Sequence, residues 1–358
     1  MIDWMTIEAP LKTQPTHMVR TIDTNTGQMR QFPQRLKVYG ADPKNAVLVR
    51  FKSDCTKIIV SGNPMKFLTG QNLIGTNRVR TLAYQFLCAV CEAAGLQPTE
   101  AERTSWKSGD CRLTRIDIAG FAILPGPEWK TRVIKALRLA HAWRASNIRA
   151  LRFGYFAIIA GKQKVFVVYD KTRQLGSPGE VPEVLGADTR FMKLVKRALR
   201  VEVRLFGKEL RARELGQIGN WRGVSVRNLF IGELKKRMVK GSVARSAAGT
   251  GTGTRMLDLE RIVWEQGGDV LDGLPRATKH RRMREHANRG CDLSVPHAVA
   301  ADKSLVDLTQ VFADNNIRIR APRRLRNWAP LKKLFADGPV NTTEETADSV
   351  GSRPTLNQ

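Results

Sequence analysis

Three short segments, residues 113–118, 165–171 and 199–205, constrain the fold of this chain more than any other feature. The first and third alternate polar and apolar residues, and the second is apolar until polar residues appear at its end. Successive side chains of a strand point to opposite faces, so a period of two indicates strands with one apolar face. The pattern predicts a sheet that has both an apolar and a polar face.

The polar faces of these segments carry residue types that suit phosphoryl transfer on DNA. They are Arg115, Asp117, Tyr169, Lys171, Arg200, Glu202 and Arg204. A tyrosine can form a reversible covalent link to a phosphodiester, and cations can stabilise charge on the phosphoryl oxygens. Carboxylates are hard ligands suited to Mg²⁺ or Mn²⁺. Each strand taken alone is better explained as a solvated outer face of an antiparallel sheet, so the functional interpretation rests on the set.

Strand-like runs and helical stretches interleave through residue 215. The strand-like runs are residues 57–61, 112–124, 152–160, 165–169 and 199–206, and the helical stretches are residues 78–94 and 127–146. This order predicts an α+β domain over residues 1–215, with a central, mainly antiparallel sheet flanked by helices. Residues 216–336 are predicted to form a basic, mainly helical domain with a flexible loop at 241–256, and residues 337–358 a disordered tail.

The charge of the chain indicates a polyanionic partner. Its 358 residues include 60 Lys and Arg against 33 Asp and Glu, which leaves a net charge of +27. Nucleic acid fits this excess, and a membrane is disfavoured because no segment is apolar enough to span or anchor. Outside the strands, the residues predicted to contact DNA are Lys235, Lys236, Arg237, Arg281, Arg282, Arg323, Arg324 and Arg326.

Cysteine usage and the N-terminal residues predict a cytoplasmic protein. Five cysteines at irregular spacing do not make a disulfide framework, and the chain does not begin like a signal peptide. Cys88 and Cys91 have the spacing of half a zinc site, but they lie in an apolar helical stretch, which favours core packing.

A set of short motifs carries a resemblance to a known family. The most specific is residues 62–76, GNPMKFLTGQNLIGT, and it is accompanied by MID at 1–3, TRID at 114–117, YDK at 169–171 and RVEVR at 200–204. In order and spacing these motifs resemble the replication initiation proteins of filamentous bacteriophages and related plasmids. Weaker similarity continues through residues 281–313.

The resemblance implies a rolling-circle initiator related to the HUH endonucleases, which nicks one DNA strand at an origin and later rejoins it. The family's nucleophilic tyrosine falls on Tyr169, with Lys171 beside it, and Asp117 with Glu202 fall on metal-site positions for Mg²⁺ or Mn²⁺. Arg115, Arg200 and Arg204 then stabilise charge or clamp DNA. The implied partners are origin DNA, as duplex and as single strand, with host helicase and DNA polymerase.

The metal ligands stay open, and so do two other functions, a conjugative relaxase and a non-catalytic DNA-binding protein. Gln71 stands where the family commonly has histidine, and no His-hydrophobe-His string is present, so a histidine-ligated metal is doubtful. A conjugative relaxase shares this chemistry but usually has such a histidine cluster, which was not found in this sequence. A non-catalytic basic protein that coats or represses phage DNA would account for the charge equally well, although not for a tyrosine paired with lysine at a strand end.

Overall fold

The structure is a computed structural model that describes part of the chain in detail. The described residues are 1–12, 18–22, 29–33, 35–52, 55–142, 156–160, 163–175, 183–242, 255–266, 270–271, 273–287, 293, 311–318 and 332. The predicted tail at 337–358 and the predicted DNA contacts Arg323, Arg324 and Arg326 lie outside the described residues.

Strands and helices interleave through the described part of the chain. The strands are β1 Ile2–Pro10, β2 Met18–Ile22, β3 Met29–Pro33, β4 Leu36–Val38, β5 Val47–Phe51, β6 Lys57–Gly62, β7 Arg112–Ile123, β8 Phe156–Ala160, β9 Lys164–Tyr169, β10 Ala198–Phe206 and β11 Ile317–Arg318. The helices are α1 Pro64–Thr69, α2 Val79–Ala93, α3 Glu100–Ser108, α4 Trp129–Ala142, α5 Glu183–Ala187, α6 Thr189–Lys196, α7 Gly207–Ala212, α8 Val226–Ser242, α9 Arg255–Glu265 and α10 Arg276–Ala287. Among the described residues, none of the helices combines the length and apolar character needed to cross a bilayer.

One large sheet organises the fold. Its strand order is β4-β5-β6-β1-β7-β10-β9-β8, with β11 paired to β7, and β2 with β3 forms a separate hairpin. The register of β1 against β6, β7 against β1, and β8 against β9 is antiparallel in each case. The predicted α+β fold with a mainly antiparallel sheet and flanking helices is therefore confirmed.

The chain divides into two compact units that are discontinuous in sequence. The first contains Met1–Ile118 and Leu205–Leu229, and the second contains Ala119–Arg204 and Phe230–Ile319. Strands β7 and β10 each contribute residues to both units. The domain boundaries expected near residues 215 and 336 stay a prediction.

Local signals in the sequence determine where two helices of the first unit begin or end. Asn63 caps α1 by accepting a hydrogen bond from the Lys66 backbone, and Gly70 ends the helix at φ 73°. Such a left-handed turn favours glycine. Helix α3 begins with a capping box in which Thr99 and Glu102 satisfy each other's backbone N–H groups.

Most of the predicted elements match the structure, and the differences have physical reasons. Helix α2 and strands β6, β7, β9 and β10 lie where the periodicity predicts them. Strand β1 does not show a regular alternation of apolar and polar residues, because its pairing with β7 shifts register twice. The two ends of the predicted loop at 241–256 are helical, since α8 continues to Ser242 and α9 begins at Arg255, and residues 243–254 lie outside the described residues.

The polar sheet face is not the solvated outer surface that single strands suggested. On β10 the residues of both faces are buried from Ala198 to Val203, and Asp117 of β7 is buried as well. A charged group removed from water is costly unless it is paired. The charged residues of these strands therefore need partners that compensate their charge.

Buried cysteines belong to the apolar core of the first unit. Cys91 on α2 is fully buried, and so is Cys111, just before β7. Burial raises the pKa of each thiol to about 12. The core-packing interpretation of the Cys88 and Cys91 pair agrees with this burial, since Cys91 packs inside and Cys88 is half-buried beside it.

We expect Cys91 and Cys111 to resist alkylation in the folded protein at about pH 8.5, because a thiol is far less reactive than a thiolate. Half-buried Cys55 serves as the internal control and should react first. The measurement is iodoacetamide labelling followed by peptide mass spectrometry, with and without denaturant. Equal labelling of all three cysteines in the native state would contradict the described core.

Candidate active site

A hydrogen bond between Tyr169 and Glu202 lies at the centre of the candidate site. Tyr169 is the last residue of β9, and Glu202 is in the middle of β10, the neighbouring strand in the sheet. The Tyr169 hydroxyl donates to Glu202 Oε1 over 2.7 Å. Tyr169 is 5% exposed and Glu202 is 3% exposed, so the bond forms where water competes little for either group.

Two arginines on the same strand face compensate the Glu202 carboxylate. Arg204 Nη2 donates to Glu202 Oε2 over 2.9 Å, and Arg200 Nε lies 3.5 Å from Glu202 Oε1. Arg200 is 0% exposed, and its guanidinium lies over the Phe121 ring, 5.5 Å from the centroid. The three predicted residues of β10 are thus brought together with Tyr169, as the period of two implies.

A buried ion pair fixes the turn that follows Tyr169. Lys130, in the first turn of α4, is 6% exposed, and its Nζ lies 2.7 Å from Asp170 Oδ1. The same Asp170 oxygen accepts a hydrogen bond from the Thr172 backbone N–H over 3.0 Å. Sequence reasoning missed Lys130, because it is one of several cations in a basic helix and no local signal distinguishes it from them.

The position of Lys171 differs from the sequence-based prediction in one respect. The prediction placed Lys171 on the strand face of Tyr169, but β9 ends at Tyr169 and Lys171 begins a 3₁₀ turn that runs to Gln174. The capping of this turn by Asp170 ends the strand. Lys171 is nevertheless buried immediately after Tyr169.

Asp117, in the first unit, is held by Arg115 two residues before it on β7. Arg115 Nε donates to Asp117 Oδ1 over 2.8 Å, and Nη2 donates to Oδ2 over 2.6 Å. Both carboxylate oxygens therefore accept from one guanidinium in the two-pronged geometry that gives the strongest neutralisation.

A second polar group in the first unit involves residues of the motif at 62–76. Asp3 Oδ1 accepts from Asn63 Nδ2 over 3.1 Å and from Asn72 Nδ2 over 2.8 Å. Asp3 lies where the pairing of β1 with β7 shifts register, between Ile2 and Trp4. Asp3, Asn63 and Asn72 were not singled out as site residues, although each falls in a segment that carries the family resemblance.

Gln71 has a structural role in the loop that follows α1. Its Oε1 accepts from the backbone N–H groups of Leu73 and Ile74 over 2.7 and 3.0 Å. Its Nε2 donates to Thr69 Oγ1 and to the Ile74 carbonyl, over 3.2 Å in each case. The side chain is 1% exposed and is fully used in holding this loop closed.

The described donors do not make up a site for Mg²⁺ or Mn²⁺ as they are arranged. Asp117 is engaged by Arg115, and both Glu202 oxygens lie against Tyr169 and two arginines. Within the described part of the chain, no group of three or more His, Cys, Asp or Glu residues could hold a metal ion. The metal-ligand roles of Asp117 and Glu202 remain predictions.

The other predicted DNA contacts lie on helices of the second unit. Lys235 of α8 is exposed and forms an ion pair with Asp314 over 2.9 Å, and Lys236 and Arg237 follow on the same helix. Arg281 of α10 is exposed, whereas Arg282 lies 3.2 Å from Glu260 of α9. The exposed side chains of Lys235 and Arg281 suit phosphate contact, and Arg282 also holds α9 and α10 together.

Comparison with known proteins gives one consistent result. Residues 1–223 match the N-terminal region of a family of phage replication-associated proteins. The replication-associated protein of Enterobacteria phage I2-2 is 22% identical over 322 residues, covering 87% of this chain and 93% of that protein. No solved structure matches the chain significantly. The matched family region includes Asp3, the motif at 62–76, Asp117, Tyr169 and Glu202.

We expect Gln71→Ala to lower the free energy of unfolding by roughly 2 to 4 kcal/mol, because two buried backbone N–H groups lose their acceptor. Asn45→Ala is a matched control, since it removes an exposed side-chain amide that hydrogen-bonds Asp42, and we expect it to cost less than about 0.5 kcal/mol. Denaturant unfolding monitored by circular dichroism measures both. An equal effect of the two substitutions would contradict the structural role of Gln71.

Proposed function

This chain belongs to the family of phage replication-associated proteins, and from that premise we propose that it starts rolling-circle replication by cutting one strand of origin DNA with Tyr169. The observation that carries the proposal is the 2.7 Å hydrogen bond from the Tyr169 hydroxyl to Glu202. A nucleophilic hydroxyl needs a group that accepts its proton, and Glu202 is such a group in direct contact.

In the proposed step the Tyr169 oxygen attacks a backbone phosphorus of the DNA. The bond from Tyr169 Oη to phosphorus forms as the bond from phosphorus to the 3′-oxygen breaks. Glu202 accepts the phenolic proton, and the departing 3′-oxygen takes up a proton from solvent, so the charges balance. Because a phenol is ordinarily a much weaker acid than a carboxylic acid, the proton moves as the new bond forms rather than before it.

The products account for the start of replication. The 5′ side of the cut strand stays attached through phosphotyrosine, which keeps the energy of the broken bond. The free 3′-hydroxyl primes synthesis and is extended. After one circuit a second cut at the origin frees a new 3′-hydroxyl at the end of the displaced strand, and attack of this hydroxyl on the phosphotyrosine rejoins that strand and releases the tyrosine. We include host helicase and DNA polymerase, acting in the bacterial cytoplasm, as partners in this proposal.

The surrounding cations have separate proposed roles. Lys171 follows Tyr169 directly and is buried, so its ammonium group is proposed to stabilise charge on the phosphoryl oxygens. Arg200 and Arg204 hold the Glu202 carboxylate in place. The exposed cations of α8 and α10 are proposed to bind phosphates of the origin DNA, in keeping with the net charge of +27.

In the proposed step only protein side chains act, because the described donors do not form a metal site. The predicted requirement for Mg²⁺ or Mn²⁺ is tested by running the nicking assay with each ion and with a chelator. Conversion of supercoiled plasmid to open circle also separates an enzyme from the alternative, a protein that coats or represses phage DNA without cutting it.

We expect Tyr169→Phe to bind origin DNA but to form no covalent adduct, because the attacking oxygen is absent. Tyr39→Phe is the matched control, since Tyr39 is exposed on the first unit and should leave adduct formation unchanged. A labelled single-stranded origin oligonucleotide, denaturing gels and peptide mass mapping give the result. Adduct formation by the Tyr169→Phe protein would remove Tyr169 from the proposal.

We expect Glu202→Gln to slow adduct formation on the order of 100-fold, because the amide cannot accept the phenolic proton. Affinity for the oligonucleotide should change by less than about threefold, since rate and binding depend on different contacts. Glu209→Gln is the control, because it removes another carboxylate that is paired with an arginine, Arg213. Thermal unfolding of both variants identifies any loss that comes from instability, and an unchanged rate for Glu202→Gln would exclude proton transfer to this residue.

A further inference from the structure

A group of one cationic and two aromatic side chains on the first unit has no part in the step proposed above. Arg115 lies over the rings of Trp4 and Phe206, with its guanidinium carbon 5.0 and 5.6 Å from the respective ring centroids. Trp4 is on β1, Arg115 on β7 and Phe206 at the end of β10. Strands rather than loops carry all three, so the arrangement is held by the sheet.

The group lies on the less buried face of its strands. Along β1, Met5 and Ile7 are fully buried, whereas Trp4 and Thr6 on the opposite face are partly exposed. Phe206 is also partly exposed, and the Arg115 side chain is 27% exposed. Part of the aromatic surface of this group is therefore in contact with solvent.

The charge of Arg115 is already compensated, which determines what the group can bind. Its two-pronged contact with Asp117 uses Nε and Nη2 at 2.8 and 2.6 Å. A phosphate would have to compete with this carboxylate for the guanidinium. A nucleobase would not, because it stacks on the flat surfaces of guanidinium and aromatic groups.

Trp4 is held in one orientation. Its indole Nε1 donates to Ser61 Oγ over 3.3 Å, and Ser61 is in turn linked to Thr6 by a 2.8 Å contact between the two hydroxyl groups. Trp4 also lies directly opposite Asp117 in the register of β1 and β7. A ring fixed in this way loses little further freedom when a base stacks on it.

We propose that Trp4, with Arg115 and Phe206, is a stacking platform for an unpaired nucleobase of the DNA strand. The inference rests on the proposed function, which requires a single strand at the origin. Bases of an intact duplex are stacked on each other, so only an unpaired base can use the platform. The site thus selects single-stranded over double-stranded DNA without reading a particular base, because every base has a flat face.

The test uses the full chain with Tyr169→Phe, so that binding is measured without cutting. The probe is an oligothymidylate of about 15 nucleotides, and a duplex of the same length is the comparison. Trp4→Ala is expected to weaken single-strand binding about tenfold and to leave duplex binding unchanged within about twofold. Trp4→Phe, which keeps a ring, is expected to retain most of the single-strand affinity.

Tyr39→Ala is the matched control, because it removes an exposed aromatic ring that lies outside this group of three, and it should change neither affinity. In the Tyr169→Phe protein that retains Trp4, photocrosslinking with 5-iododeoxyuridine in the oligonucleotide should label the tryptic peptide of residues 1–12. Equal single-strand affinity of Trp4→Ala and the parent, or absence of this crosslink, would overturn the platform. Neither result depends on whether Tyr169 is the nucleophile, so failure of the nicking proposal is detected separately.

Discussion

The burial of charge on one face of a sheet is the constraint on which the rest of this structure depends. Glu202 is almost completely removed from water, and a carboxylate in that position is stable only with compensating partners. Two arginines and one phenolic hydroxyl supply them. The hydrogen bond that helps to compensate this buried charge is also the contact on which the proposed proton transfer from Tyr169 rests.

The same solution occurs on two strands that are far apart in the sequence, β7 and β10. Arg115 and Asp117 are two residues apart on β7, and Glu202 and Arg204 are two residues apart on β10. Residues at this spacing lie on one face of a strand, so a buried carboxylate can be neutralised by its own strand. This local pairing accounts for the alternation of acid and arginine that marks both segments in the sequence. Both carboxylates are thus engaged by an arginine, and their roles as metal ligands stay a prediction.

The sequence indicated the sheet and the residues on its polar face, but not how they are engaged. Periodicity located β7, β9 and β10 because each has one predominantly apolar face, and this placed Tyr169, Asp117 and Glu202 correctly on strands. It did not find α3, whose signal was the capping box of Thr99 and Glu102 rather than an apolar stripe. The strand pattern also extended too far at Lys171, because Asp170 caps a turn at that point.

Other features could not have been read from the chain alone, because they depend on contacts between distant residues. The partnership of Lys130 with Asp170 joins positions 40 residues apart, and that of Asp3 with Asn72 joins positions 69 apart. Gln71 illustrates the opposite case. Its departure from the family pattern was visible, but its use as a local clamp for the loop became evident only from the four hydrogen bonds that it makes.

The contact between Tyr169 and Glu202 has a consequence for the direction of the proposed chemistry. Once Glu202 has accepted the phenolic proton in the proposed step, that proton lies beside the Tyr169 oxygen and is shielded from bulk water. When a 3′-hydroxyl later displaces the tyrosine, the same proton is available to the departing phenolate. In the proposed cycle one buried acid–base pair thus serves strand opening and strand closure alike, and both of its groups return to their starting ionisation state.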